Sequence, residues 1–191
     1  NLDRVKFQIF TAFFSSVILL LFTLGGLFNY LANIVINTTS SDILGAVLLG
    51  LLLLIVEEII SIPIAIYSTF VIEERHGFNK TTKKTFVTDL IKSLLISATI
   101  SSILYALVIY IVVNLGEMWW LYAFGAVFLL QAIIFFLYPV LIMPLFNKFE
   151  PLDDEEFKKP IEKLLEKIDF KSKGLFVMNA SLRSTHGNAF F

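Results

Sequence analysis

Cysteine is absent from the 191 residues. That excludes disulfides and thiolate metal sites, and it leaves the redox compartment open. Histidine is almost absent, with only His76 and His186. A zinc site needs three or four ligands at about 2 Å, so these residues cannot complete a His-rich site alone. No His-Glu-x-x-His and no Gly-rich phosphate loop occurs. No serine and histidine share a recognisable nucleophile context. Charge is also scarce, at 16% against roughly 25% in soluble domains. A net charge of -1 supplies no basic field to attract nucleic acid.

What the chain has in excess is hydrocarbon: 57% of its residues are hydrophobic, and the mean hydropathy is +0.82. A membrane-spanning helix needs about 20 mostly apolar residues. Four stretches meet that length: residues 7–36, 43–72, 86–113 and 119–145. Several exceed the minimum, which predicts tilt or extension beyond the bilayer. The first is too long for the core of a cleaved signal. The sequence opens on Asn1 rather than Met and stops inside an apolar run at Phe190-Phe191, and it reads as a piece of something longer.

The basic residues fix an orientation. Arg4 and Lys6 precede the first stretch. Arg75, Lys80, Lys83 and Lys84 lie between the second and third, and Lys148 and later basic residues follow the fourth. The other two connections hold no Lys or Arg. Four crossings put all three basic regions on one side, which the positive-inside rule makes cytoplasmic. Lys92 is the exception, near enough to snorkel to the basic side. Trp119 and Trp120 suit the opposite interface. The expected fold is all-α transmembrane, with about four spans over residues 1–149, followed by a small cytoplasmic α+β segment over 150–191.

In that segment Phe157, Ile161, Leu164, Leu165 and Ile168 share a helical face. Asp153, Asp154, Glu155 and Glu156 suit its N-terminus. Pro160 either kinks this helix or marks where its regular part begins. Residues 174–178 read as a strand, 179–187 as a loop, and 188–191 as the start of a second strand.

Glu57 and Glu58 interrupt the second stretch at mid-span. A charge at the bilayer centre costs at least about 2.5 kcal/mol. Either these carboxylates are protonated or paired with another helix, or they line a water-filled cavity. Adjacent helical positions lie about 100° apart, so the two cannot face one neighbour. Pro63, further along, can kink the helix and free a carbonyl. Asp89, Lys92 and Gln131 are further candidates for a polar interior, although Asp89 and Lys92 are also placed to pair with each other at i, i+3. The 73–80 loop combines Glu73, Glu74, Arg75, His76 and Asn79, and by residue type alone it reads as a solvated turn. A non-enzymatic membrane module or transporter piece using Glu57, Glu58 and Lys92 for ions is the alternative to the reading that follows.

Four stretches taken together resemble the integral-membrane CAAX prenyl endopeptidases, zinc metalloproteases of the a-factor-converting type. They are Pro63 with Tyr67-Ser68-Thr69-Phe70-Val71-Ile72-Glu73-Glu74-Arg75-His76-Gly77-Phe78-Asn79-Lys80-Thr81-Thr82; Asp89 with Ile91-Lys92-Ser93-Leu94; Pro144-Leu145-Phe146-Asn147-Lys148-Phe149 with Pro151-Leu152; and Ser181, Arg183-Ser184, His186 and Asn188-Ala189-Phe190-Phe191. The resemblance implies helices enclosing a large aqueous chamber. It implies a catalytic zinc held by His-Glu-x-x-His and a later Glu, the motif Glu serving as general base toward the attacking water. Substrate would pair by β-augmentation with an edge strand matching Asn188, Ala189 and Phe190. Asn188 could also offer a donor to the developing oxyanion. It further implies the bilayer and a peptide or protein with a prenylated C-terminus as partners. The chain departs from the family pattern in lacking the zinc motif and the first membrane helix. It therefore reads as the N-terminal membrane region plus the start of the metalloprotease domain, inactive alone, with zinc bound only by the full-length enzyme.

Overall fold

Inside a bilayer no water is available to the backbone, so an apolar run must satisfy its own N–H and C=O groups as a helix. The computed structural model describes residues 2–170, 172 and 174–185. Among them four helical rods are long and apolar enough to cross a membrane. The first is α1 (Leu2–Leu24), followed by the short α2 (Leu27–Ile36). The second is α3 (Asp42–Tyr67), which runs into a π-helical turn (Ser68–Glu73). The third is α4 (Lys83–Asn114). The fourth is α5 (Trp119–Leu137), continued by a second π-helical turn (Tyr138–Ile142) and α6 (Met143–Phe146).

The expected single stretch over 7–36 is two helices. Gly26 sits at φ 77, a left-handed conformation that ends a helix. A Cβ on Gly25 would strike the Leu21 carbonyl. The Gly25-Gly26 pair therefore breaks the rod although the hydropathy is unbroken. Helices α3 and α4 start at side-chain caps: Ser41 Oγ accepts from the Leu44 N–H at 3.3 Å, and Thr82 Oγ1 from the Thr85 N–H at 3.1 Å. A 32-residue rod such as α4 is about 48 Å long. That exceeds the hydrocarbon thickness of about 30 Å, so its ends stand in the headgroup region or beyond.

Helices in lipid gain nothing from hiding Leu from Leu, so close contact depends on small residues and polar bonds. Buried apolar residues are accordingly few among those described: Val35, Ile72, Ile111 and Ala123, with Gly50 on α3. The ring of Tyr105 on α4 lies against Gly50, in the space a Cβ would need. At the basic end the Phe70 and Phe86 rings meet edge to face at 5.4 Å. Phe7 of α1 lies 5.2 Å from Tyr67.

After α6 the chain forms a two-stranded antiparallel sheet. β1 (Phe149–Pro151) pairs with β2 (Phe176–Met178), with Glu150 opposite Val177. β2 falls inside the expected strand. β1 was not expected, since a three-residue segment containing Glu and Pro carries no strand signal, and it exists through its pairing. Between them α7 (Glu155–Lys167) is capped by Asp154. Its regular turns begin five residues ahead of Pro160 and continue through it. The second expected strand, over 188–191, lies outside the described residues.

Candidate functional site

The chemistry-bearing residues gather at the basic end of the spans, where four segments meet. The first is the loop after α3. Gly77, at φ 72, turns the chain, and its N–H reaches the Glu74 carbonyl at 3.0 Å. The Glu73 carbonyl accepts from the N–H groups of Phe78 and Asn79. His76 Nδ1 donates to the Ile72 carbonyl at 2.7 Å, which fixes its tautomer. Asn79 donates from Nδ2 to Glu74 Oε2 at 2.8 Å, and its Oδ1 accepts from the Thr81 N–H at 2.8 Å. Glu73, Glu74, His76 and Asn79 thus shape the loop itself. Its outer edge is then free to act as a strand. Asn79 forms an antiparallel bridge with Ser184, the Lys80 N–H donates to the Arg183 carbonyl at 3.0 Å, and the Thr185 N–H donates to the Phe78 carbonyl at 3.1 Å. The expected solvated turn is a pairing surface.

The second segment is the start of α4, which presents Asp89. This carboxylate is not paired with Lys92. Arg183 Nε donates to Asp89 Oδ2 at 2.6 Å, and Nη2 donates to Oδ1 at 2.9 Å. The fork-to-fork geometry suits guanidinium and carboxylate, and it outcompetes a single Lys contact. Both side chains are about one quarter exposed. The hydrogen bond to Asp89, partly opposed by burial, raises the Arg183 pKa above its ordinary value.

The third segment is the end of the fourth rod. The last carbonyls of a helix lack intrahelical donors and carry the negative end of its dipole. Two cations occupy them. Lys92 Nζ donates to the Leu145 carbonyl at 2.7 Å and stands 5.9 Å from the Phe146 ring. Arg183 Nη2 donates to the Phe146 carbonyl at 2.7 Å, and Nη1 donates to Asn147 Oδ1 at 3.1 Å. Lys92 has therefore turned to the basic end, as its position predicts. The fourth segment is the stretch around Arg183. Asn179 precedes it and ties it to the sheet, its Oδ1 accepting from the Lys148 N–H at 2.8 Å.

Of the singled-out residues, Asp89 and Lys92 join the hub beside the Glu73–Asn79 loop. Glu57, Glu58 and Gln131 do not. Glu57 and Gln131 are exposed and Glu58 is half-buried, and neither carboxylate has a side-chain partner among the described residues. The helix-pairing explanation for the two glutamates therefore has no support here. Asn188, Ala189 and Phe190 lie outside the described residues. Among those described, no three His, Cys, Asp or Glu side chains converge as a metal site.

The family described as CAAX prenyl protease N-terminal, with five membrane helices, matches residues 1–148. The chain is 45% identical over 134 residues to a probable CAAX prenyl protease 1 of Schizosaccharomyces pombe, covering 70% of this chain and 28% of that protein. It is 33% identical over 190 residues to a CAAX prenyl protease 1 homolog of Caenorhabditis elegans, covering all of this chain and 42% of the relative. Among solved structures, S. mikatae Ste24p superposes with a TM-score of 0.88 at 33% identity, over 97% of this chain and 44% of that one. The chain thus spans less than half the length of these relatives. Its multi-pass helical fold, the run of matched residues and the Ste24p likeness agree: the chain belongs to the CAAX prenyl protease family, within its N-terminal membrane domain.

Proposed function

We propose that the full-length protein is a zinc metalloendopeptidase that cleaves proteins with prenylated C-termini. In this reading residues 1–149 build the membrane enclosure and residues 150–191 open the protease domain. The observation that carries the reading is the 0.88 TM-score to Ste24p over 97% of the chain. The hub geometry supports it, because the chain leading to Asn188 is paired in antiparallel fashion to the loop at residues 78–80.

The roles of the chain's own residues follow. Asn188, Ala189 and Phe190 take the substrate backbone as an added strand, which gives affinity through main-chain bonds. The Asn188 amide donates to the carbonyl oxygen as charge develops on it. Glu57, Glu58 and Gln131 line the enclosure and keep it wet, while Asp89 and Lys92 close its basic end. Zinc, bound by residues outside this part, supplies Lewis-acid activation of the attacking water. The basic loops and residues 150–191 face the cytoplasm, following the placement of Lys and Arg.

The first test is the reading frame beyond Phe191. A His-Glu-x-x-His within about a hundred residues is expected, and its absence removes the protease reading. In the full-length protein, a chelator should abolish peptide cleavage and zinc should restore it. Asn188→Ala should lower kcat by about 10²-fold or more with little change in KM, as oxyanion donors do. An unchanged kcat would remove Asn188 from the site.

A further inference from the structure

The seam between α1 and the second rod carries charge outside the hub. The Phe7 and Tyr67 rings meet across it, and Asp3 takes Arg75 as an exposed ion pair at 3.4 Å. Beside them is a cavity of about 380 Å³, within the size range of small-ligand sites. Its polar lining is Arg4, Gln8 and Thr11 of α1 with Ser61, Ser68 and Glu73 of the second rod. Arg4, Gln8 and Thr11 recur at i, i+4 and i+7, so they share one face of α1. Arg4 and the Glu73 carboxylate line this cavity without pairing to each other, and neither takes another charged partner among the described residues. Thr11 and Ser61 donate to carbonyls of their own helices, those of Gln8 and Glu58, both at 2.9 Å. The donors left to the cavity are therefore Arg4, Gln8 and Ser68, and its one charged acceptor is Glu73.

Depth selects the kind of ligand. Arg4 lies in the first turn of α1, and Glu73 ends the second rod. The 23 residues of α1 span about 35 Å, against about 30 Å of hydrocarbon. Both charges therefore stand among lipid headgroups at the basic end. We propose that this cavity binds a zwitterionic aminophospholipid of the phosphatidylethanolamine class, with its phosphate on Arg4 and its ammonium on Glu73. The planar guanidinium fork suits phosphate oxygens, and Gln8 and Ser68 add neutral donors. The Glu73 carboxylate accepts from the ammonium. One cation and one anion in the site match one of each in the headgroup. A purely anionic headgroup sets like charge against Glu73, and a choline headgroup has no N–H to give it. The apolar groove on the same seam, between Phe7, Phe10 and Phe14 of α1 and Pro63, Ile64 and Tyr67 of α3, takes the hydrocarbon of any phospholipid. Selectivity therefore lies with the headgroup. The inference stands apart from the protease reading.

The test is native mass spectrometry of the full-length protein in detergent. Dioleoyl phosphatidylethanolamine, phosphatidylcholine and phosphatidylglycerol are added in equal amounts, so that only the headgroup differs. Phosphatidylethanolamine should be retained at least about tenfold over each of the others. Stepwise N-methylation should lower its retention in steps, because each methyl removes a donor while the charge stays. Arg4→Gln should reduce retention about tenfold. Glu73→Gln should do the same and should also narrow the gap to phosphatidylglycerol, since it removes the repelling charge. The Glu73 carbonyl, which holds the following loop, is untouched by that change.

The headgroup selectivity of the parent protein is read without any variant, so a variant that fails to fold leaves the test intact. Equal retention of the three lipids would mean ordinary boundary lipid and overturn the inference. A preference for phosphatidylglycerol would reduce the site to a basic patch that attracts anionic lipid, and it would overturn the inference too. Retention of no lipid would show the cavity filled by another part of the full-length protein, with the same consequence. A preference for phosphatidylethanolamine that survives both Arg4→Gln and Glu73→Gln would place the lipid elsewhere and remove these two residues from its site.

Discussion

Gly50 tests whether α3 and α4 are seated as described. It is the buried glycine of α3, and the edge of the Tyr105 ring occupies the space of its missing Cβ. Adding that carbon in Gly50→Ala forces the ring or the helix to retreat by well over 1 Å to reach ordinary contact distance. A gap of 0.5–1 Å forfeits about a quarter to a half of each dispersion contact the ring made elsewhere. Overpacking of this kind costs about 1–3 kcal/mol. For a chain of this size, about 2–4 °C in Tm accompanies each kcal/mol, so a drop of about 2–12 °C is expected. The assay is thermal unfolding in detergent micelles, followed by circular dichroism. Gly125→Ala on α5 is the matched control, since a Cβ there meets nothing within 4 Å, and it should leave Tm unchanged or raise it slightly. Gly50→Ala/Tyr105→Ala should show favourable coupling of about 0.5–3 kcal/mol. If Gly50→Ala melts with Gly125→Ala, the α3–α4 contact is not where it is described.

The lack of cysteine makes thiol labelling a clean probe of topology. Ser40→Cys should react with a membrane-impermeant maleimide on intact cells, whereas Lys83→Cys should react only after permeabilisation; the reverse pattern would invert the orientation. Glu57→Cys and Gln131→Cys should react with a hydrophilic thiosulfonate at rates within about tenfold of a loop cysteine, because the thiolate forms only in water; inert thiols would place both positions against lipid. The raised pKa of Arg183 predicts a pH-insensitive clamp. A group whose folded pKa lies above its unfolded value contributes fully below the unfolded value and loses its contribution only as pH rises through the folded one. For a guanidinium that window lies far above neutral pH. The Tm gap between the parent protein and Arg183→Gln should therefore stay constant between about pH 6 and 10, and a gap that shrinks across this range would remove the ion pair as its source.

The sequence shows the spans clearly and the hub hardly at all, for physical reasons. Hydropathy reports only whether a residue tolerates lipid, so it located four long helices. It could not see that Gly25-Gly26 ends one of them, since two glycines do not lower an apolar average. Charge placement located the end at which the hub forms. The hub's partners lie far apart in the chain, however: 94 residues separate Asp89 from Arg183. Helical spacing offered Asp89 a nearer partner in Lys92. The choice between them is set by the fourth rod, whose unpaired carbonyls take Lys92 and leave Asp89 to the arginine. Two uncharged members, Asn147 and Asn179, carried no signal of their own beyond the first one's place in Pro144-Leu145-Phe146-Asn147-Lys148-Phe149. The loop residues Glu73, Glu74, His76 and Asn79 stood out as a motif, but a list of residue types does not reveal that they bond among themselves. Their service to the site is indirect, through the edge they leave open to Ser184.

The scarcity of buried side chains and the density of polar bonds at one end have a common cause. Rods that expose most of their apolar surface to lipid have no hydrophobic force to set their depth relative to one another. Sliding one rod along its neighbour would exchange one Leu contact for another at little cost. Fixed bonds at one end remove that freedom. Lys92 and Arg183 grip successive carbonyls, Leu145 and Phe146, at the end of the fourth rod. Lys92 belongs to the third rod, and Arg183 is bound to that rod through Asp89. A slide of one residue, about 1.5 Å, would break both grips at once. The same bonds fix the rods against each other and the rods against the chain that follows. The membrane rods and the chain that follows them therefore share one point of reference, and that point is Arg183.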